Sequence, residues 1–181
     1  MKNITIGQYK NLLDVTEYKI LENLNPVNKF NNVVFNPERL TYRDMCSLVK
    51  LLKTGNDWDS LYNIFKIMYG VDETDFYRCN IVEFYSCRNY IFDYVMNMQK
   101  RESKLLQSIS ADTELWRSAG GDRLNKFSNI MPLIQLGELF GVYPFDLEGK
   151  YYNQIIVLLV ALKERGEVQQ AFSKLKHKVK R

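Results

Sequence analysis

The chain has 181 residues and a mass of 21.4 kDa, enough for one compact domain or two small ones with a real core. Apolar residues make up 46% and charged residues 25%, which excludes a disordered or collagenous chain. The net charge of +4 is concentrated in the last eight residues, KLKHKVKR, where Lys174, Lys176, Lys178, Lys180 and Arg181 occur without an acid. Without those five the chain carries 20 basic against 21 acidic residues. The tail therefore reads either as a solvated helix end, stabilised at the negative pole of its helix, or as a basic arm for an acidic or nucleic-acid partner.

Three cysteines and one histidine leave little material for metal or nucleophile chemistry. No two cysteines have C-x₂-C spacing, and His177 stands 90 residues beyond Cys87, so no zinc site is expected. The N-terminal MKNITIGQYKN has no apolar core of a signal peptide, and the longest apolar run, Ile155 to Leu162, is too short to span a bilayer. Reduced thiols and a chain without cofactor are the expectation.

Taken in order, helix signals dominate. Thr5 with Gln8 makes a capping box for a short helix over about 6–14. A second short helical segment starts at Thr16 and is stopped by Asn25-Pro26. Residues 26–40, with two prolines and four asparagines, form a loop with a brief extended piece at Val33-Val34-Phe35. Thr41 then caps a helix striped by Met45, Leu48, Val49 and Leu52, closed by Gly55. Asp57 caps another, with Leu61, Ile64, Phe65, Met68 and Tyr69 on one face and Gly70 at its end.

Residues 71–79 make an acidic connection, and Asn80 opens the longest helix, running to about Ser108. Its apolar residues cover more than half of its circumference, so the helix is central in its domain or shared with a partner. Beyond it come a short helix around Trp116, a break at Gly120-Gly121, and a helix capped by Asp122 with a kink or interruption at Pro132, continued to Phe140. Gly141 and the turn Val142-Tyr143-Pro144-Phe145 lead to Asp146, the expected cap of a helix reaching Gly166. A last helix precedes the basic tail. The sum is an all-α chain of about seven or eight helices, with one long central helix and a C-terminal helical hairpin. Residues 1–110 form an N-terminal helical region ending in the long helix, and 111–181 a small C-terminal helical unit with the basic tail.

No phosphate loop, dinucleotide fingerprint or nucleophile elbow is present, and the acidic turn at Asp72, Glu73 and Asp75 reads as a solvated helix start. Catalysis is not expected. Residues 133–154 have the outline of a helix-turn-helix, but the second helix opens with Asp146 and Glu148 and offers only Lys150, Asn153 and Gln154 to bases. The positive oddity is aromatic: 13% of residues, with 12 Tyr and 10 Phe. Tyr90, Phe92 and Tyr94 on the long helix, with Tyr143, Phe145, Tyr151 and Tyr152 near the hairpin, are the candidate interface residues, some of which must be core.

Four stretches carry a resemblance: ITIGQYKNLLDV, GVDETDFYRCNIVEFYSCRNYI, WRSAGGDRLNKFSNIMPL and LGELFGVYPFDLEGKYYNQIIVLLVALKERGEVQQAF. Together they resemble small virion and tail-assembly proteins of tailed phages, especially those of crAss-like Bacteroides phages. The last is similar to the C-terminal helical hairpin of tail-assembly chaperones. The resemblance implies a non-enzymatic structural or assembly protein, either a neck or tail ring component or a tail-assembly chaperone. Its partners would be portal, neck or tail subunits and further copies of itself. Its place would be the virion or the host cytoplasm during assembly. From a different class, the hairpin at 133–154 with Lys174, Lys176, Lys178, Lys180 and Arg181 would serve a small nucleic-acid-binding regulator. Neither reading involves a membrane.

Overall fold

The computed structural model describes residues 4–55, 57–107 and 117–179, and side chains as far as residue 176. Every regular element among them is helical, and backbone pairing outside helices is confined to three isolated bridges. The chain divides into two units, one made of residues 1–40 and 44–99, the other of 41–43 and 100–181. Ser110, at the expected boundary, and Trp116, in the expected short helix, lie outside the described residues.

The first unit opens with α1, Ile6–Lys10. Gln8 N donates to Thr5 Oγ1 at 3.2 Å and Thr5 N to Gln8 Oε1 at 2.9 Å, so both halves of the capping box form. α1 is then pinned by backbone: Ile6 N donates to Cys79 O at 2.9 Å and Ile81 N to Ile4 O at 3.0 Å, which buries Ile6 completely. The segment after it, Thr16–Asn23, winds as a 3₁₀ helix and buries Tyr18 and Leu21. In the following loop, Asn31 and Asn32 take positive φ, a conformation asparagine tolerates better than most residues. They close a tight turn in which Phe30 and Val33 exchange backbone hydrogen bonds, so the expected extended piece is reduced to one bridge.

α2 (Tyr42–Thr54) from Asp44 onward, α3 (Trp58–Tyr69), α4 (Glu73–Arg78) and the front of α5 (Ile81–Leu106) complete this unit. Asp57 accepts from Ser60 N at 2.7 Å at the start of α3, and Gly70 ends that helix in the left-handed region at φ +66°. The acidic stretch expected as a connection is itself helical. Asp72 accepts from Asp75 N at 2.8 Å, and Glu73 and Asp75 sit in the first turn, where the helix dipole favours them. Four phenylalanines with no more than 1% of their surface exposed, Phe30, Phe65, Phe76 and Phe84, make the centre. Phe65 lies 4.6 Å from Phe30, 5.3 Å from Phe76 and 5.1 Å from Phe84, ring centre to ring centre. Such offset and edge pairs add about 0.5–1.5 kcal/mol each beyond the area they bury.

In the second unit a 3₁₀ helix, Gly121–Phe127, stands where a longer helix from Asp122 is expected. Pro132 marks an interruption between helices, as one of the two expectations has it, and not a kink within one. It occupies the first turn of a new one, α6 (Met131–Phe140), where its missing N–H costs nothing. α7 (Pro144–Leu147) is a single turn with Asp146 inside it, so Asp146 is not a cap. α8 then runs unbroken from Tyr152 to Val179, and the two helices expected on either side of Gly166 are one. A glycine inside a helix costs only about 1 kcal/mol, which continuous hydrogen bonding on both sides overrides. The end of the long α5 also belongs here: Lys163 Nζ donates to Leu105 O at 3.1 Å, and Tyr152 Oη donates to Glu102. Among the described residues, no helix is long and apolar enough to cross a membrane.

Candidate interaction surface

The hairpin of the second unit is held by close backbone approach. Gly137 lies under the turn that follows α6. A Cβ there would meet Val142 O at 2.7 Å and Pro144 Cγ at 3.1 Å, so a larger residue would push the turn away. Gly141 ends α6 at φ +65°, and Val142 N donates to Gly137 O at 3.1 Å. On the other side, residues 41–43 clamp the link between α7 and α8. Tyr42 N donates to Lys150 O at 3.0 Å, Arg43 N to Glu148 O at 2.9 Å, and Arg43 Nε to Glu148 Oε2 at 3.0 Å. Tyr42 Oη also reaches Asn129 O at 2.9 Å. These bonds explain why Thr41 and the first two residues of α2 belong to the second unit.

This braced hairpin buries Leu133, Leu136, Leu147 and Ile155 and leaves a set of apolar side chains outside. Within thirteen residues, Leu139, Phe140, Val142, Tyr143, Phe145 and Tyr151 are all more than two-fifths exposed. Tyr143, at 64%, and Phe145, at 51%, lean on one another with ring centres 5.4 Å apart. Single exposed apolar residues need no explanation, but six along one braced turn are characteristic of a contact surface.

The other candidate aromatics divide. Tyr152 is 4% exposed, its ring 6.0 Å from that of Tyr42, and its hydroxyl serves Glu102, so it belongs to the unit's own packing. Tyr90 and Tyr94 are half-buried, stack on each other at 6.2 Å, and Tyr94 also meets Phe35 edge-on at 5.3 Å. Burial pushes the Tyr90 phenol above its ordinary range. Phe92 is 53% exposed and stands at the rim of a cavity of about 630 Å³ in the first unit. Leu52, Ile64, Phe65 and Ile91 line its apolar part and Arg88 and Asp93 its polar edge. No single segment announces that cavity, since it needs a loop and three helices brought together. Of the basic residues at the chain's end, Lys174 and Lys176 are exposed on α8; the side chain of Lys178 and the whole of Lys180 and Arg181 lie outside the described residues.

Burial lifts the Cys79 and Cys87 thiols to about 11, so both are protonated near neutrality, and Cys87 donates to Lys29 O at 2.7 Å. The Tyr69 hydroxyl is buried close to Cys87 without a hydrogen bond of good geometry, and desolvation raises its pKa further. Among the described residues, no three His, Cys, Asp or Glu side chains gather as metal ligands would. The outline expected of a helix-turn-helix at 133–154 is not formed as such. One turn of helix stands where the second helix was expected, Asn153 accepts from Arg101 at 3.2 Å, and the reading helix would have to be the start of α8. Set against known protein families, curated proteins and solved structures, the chain matches no family model, no curated protein and no solved structure.

Proposed function

We propose that this chain is a non-enzymatic assembly or structural protein that works by protein–protein contact through the hairpin at 139–151. The observation that carries the reading is the run of six exposed apolar side chains on a turn braced by Gly137 and by residues 41–43. A braced aromatic surface loses little conformational freedom on binding, which suits an anchor. With the resemblance to tail-assembly proteins, the setting is a tailed-phage particle. The partners are its portal, neck or tail subunits, met in the virion or during assembly in the host cytoplasm. Both a ring component and a transient chaperone use such a surface, and they differ in whether the complex persists.

The test is light scattering of the full chain alone and with portal, neck and tail proteins of its phage, for the wild type and a Tyr143→Ala, Phe145→Ala double variant. A discrete complex with one of those proteins is expected. The double variant should weaken it about tenfold or more with an unchanged melting temperature, since both side chains are mostly outside the unit's own packing. No complex with any of them, together with steeply salt-dependent retention of duplex DNA, would transfer the function to the regulator reading.

A further inference from the structure

α8 has two apolar faces that point in opposite directions, the buried one confined to its start. Its first eight residues bury Tyr152, Ile155, Ile156 and Leu159 in the second unit. At 100° per residue those four centre on one side of the helix. Val157, Ala161, Val168, Phe172 and Leu175 fall on the opposite side, and all of them are exposed. Val157, Val168 and Phe172 each expose 66% of their surface and Leu175 62%. The stripe runs for about 27 Å at the helical rise.

Its spacing is that of a seam. Ala161, Val168 and Leu175 recur every seven residues, and Val157, Glu164 and Ala171 recur every seven between them. The final part of the helix also lacks support of its own. Every residue from Glu167 to Lys176 is exposed, and a helical extension of that length is marginal in water without packing. A partner helix on this stripe would supply the missing contacts.

Charge selects the partner and its direction. No acid follows Glu167, and five cations follow Phe172, whereas residues 163–167 carry two cations and two carboxylates. A parallel copy would set one cationic end against the other, and Glu164 against Glu164 on the seam. An antiparallel copy sets the cationic end against the balanced segment. It brings Glu164 level with Leu175 of the second copy, beside Lys174 and Lys176, and brings Val168 level with Ala171. We infer that the outer face of α8, from Glu164 to Leu175, pairs with the same face of a second copy of this chain in an antiparallel two-helix seam. This does not rest on the hairpin surface, which lies on other residues and stays open for a different protein.

Sedimentation of the full-length chain over a range of concentrations tests it, together with disulfide trapping. The wild type is expected to double its mass with rising concentration. Phe172→Glu, which alters an exposed side chain, should leave the helical circular-dichroism signal of the folded units and weaken the dimer about tenfold or more. Glu164→Lys with Glu167→Lys, which turns the balanced segment cationic, should weaken it too, and added salt should restore part of the loss. In an antiparallel seam Ala171→Cys lies within about one turn of its copy, whereas Ala161→Cys lies about 25 Å away. The first should therefore form a cross-linked dimer and the second should not, against the wild-type background of three free thiols. A chain that stays monomeric at every concentration, a dimer indifferent to Phe172→Glu, or equal trapping at both cysteines overturns the proposal. So does a monomer that uses Phe172 and Leu175 only to hold DNA or anionic vesicles. Because the hairpin variants leave α8 untouched, failure here and failure of the hairpin reading are separately visible.

Discussion

The two long helices, α5 and α8, handle apolar residues in opposite ways. α5 buries Ile81, Phe84, Cys87, Ile91 and Val95 on one stripe, and its flanking tyrosines find rings within the same unit: Tyr85 meets Tyr9 and Phe84, and Tyr94 meets Phe35. α8 buries four apolar residues near its start and then carries Val168, Phe172 and Leu175 outside with nothing in the unit upon them. The first helix is held by tertiary packing along most of its first-unit length, which is the usual source of helical stability in proteins. The second is held by packing at one end only. The hairpin at 139–151 and the outer face of α8 are two places where apolar residues are left unused by the unit's own packing.

The sharpest break in that contrast is at Phe65, which is fully buried and in ring contact with Phe30, Tyr69, Phe76 and Phe84. Phe65→Ala should cost about 3–5 kcal/mol, because the rings around it cannot collapse into the space without leaving their preferred edge-on geometry. Urea unfolding followed by circular dichroism measures it. A loss under about 1 kcal/mol would mean that this cluster is not the core of the first unit.

What could be read in advance follows the physics of each signal. Helix starts with a side-chain acceptor were legible: Thr5 and Asp57 cap the elements expected of them, because capping needs only three or four consecutive residues. Gly70 and Gly141 were legible as ends for the same local reason, each in the left-handed region. Gly166 looked like the same signal and was not, since nothing local distinguishes a glycine that ends a helix from one that a long helix tolerates. Reading a break there hid the outer stripe of α8, whose i, i+4, i+7 spacing at Val168, Phe172 and Leu175 becomes a face only in an unbroken helix. The hairpin aromatics were nominated from composition. Separating Tyr152 from Tyr151, adjacent in sequence but 4% and 49% exposed, needed the contacts of α8 with Tyr42 and Glu102.

A smaller effect sharpens the difference between the supported and unsupported parts of α8. Glu102 is half-buried where Tyr152 donates to it, and desolvation lifts its pKa from 4.5 to about 7, against a lowering by Arg101. The folded chain thus binds this proton more tightly than the unfolded chain does. The stabilisation from this group is complete below about pH 4.5 and is lost as the pH rises through about 7. With allowance for solvent screening of a half-exposed carboxyl, its share should be about 1 kcal/mol between pH 5 and pH 8. Comparing urea midpoints at those two pH values for the wild type and Glu102→Gln isolates it. The glutamine variant should show the shallower pH dependence, and equal slopes would remove Glu102 as its source.

The smallest change bears on the boundary inside α8 itself. Gly166 keeps helical backbone at the point where burial gives way to exposure, and a Cβ built on it would meet nothing within 4 Å. Gly166→Ala therefore adds no clash and removes backbone freedom from the unfolded chain, for an expected gain of about 0.5–1 kcal/mol. How that gain is distributed is the informative part. If α8 opens as two pieces, with the buried start staying formed while the exposed end melts, alanine should slow amide exchange mostly beyond residue 166 and raise the helical signal at low protein concentration. If the antiparallel seam already holds the exposed end, alanine should instead raise dimer stability, and its effect on exchange should shrink as concentration rises. No change in exchange on either side of residue 166 would mean that the glycine marks no boundary in the stability of this helix, and that the loss of burial beyond it has no energetic counterpart.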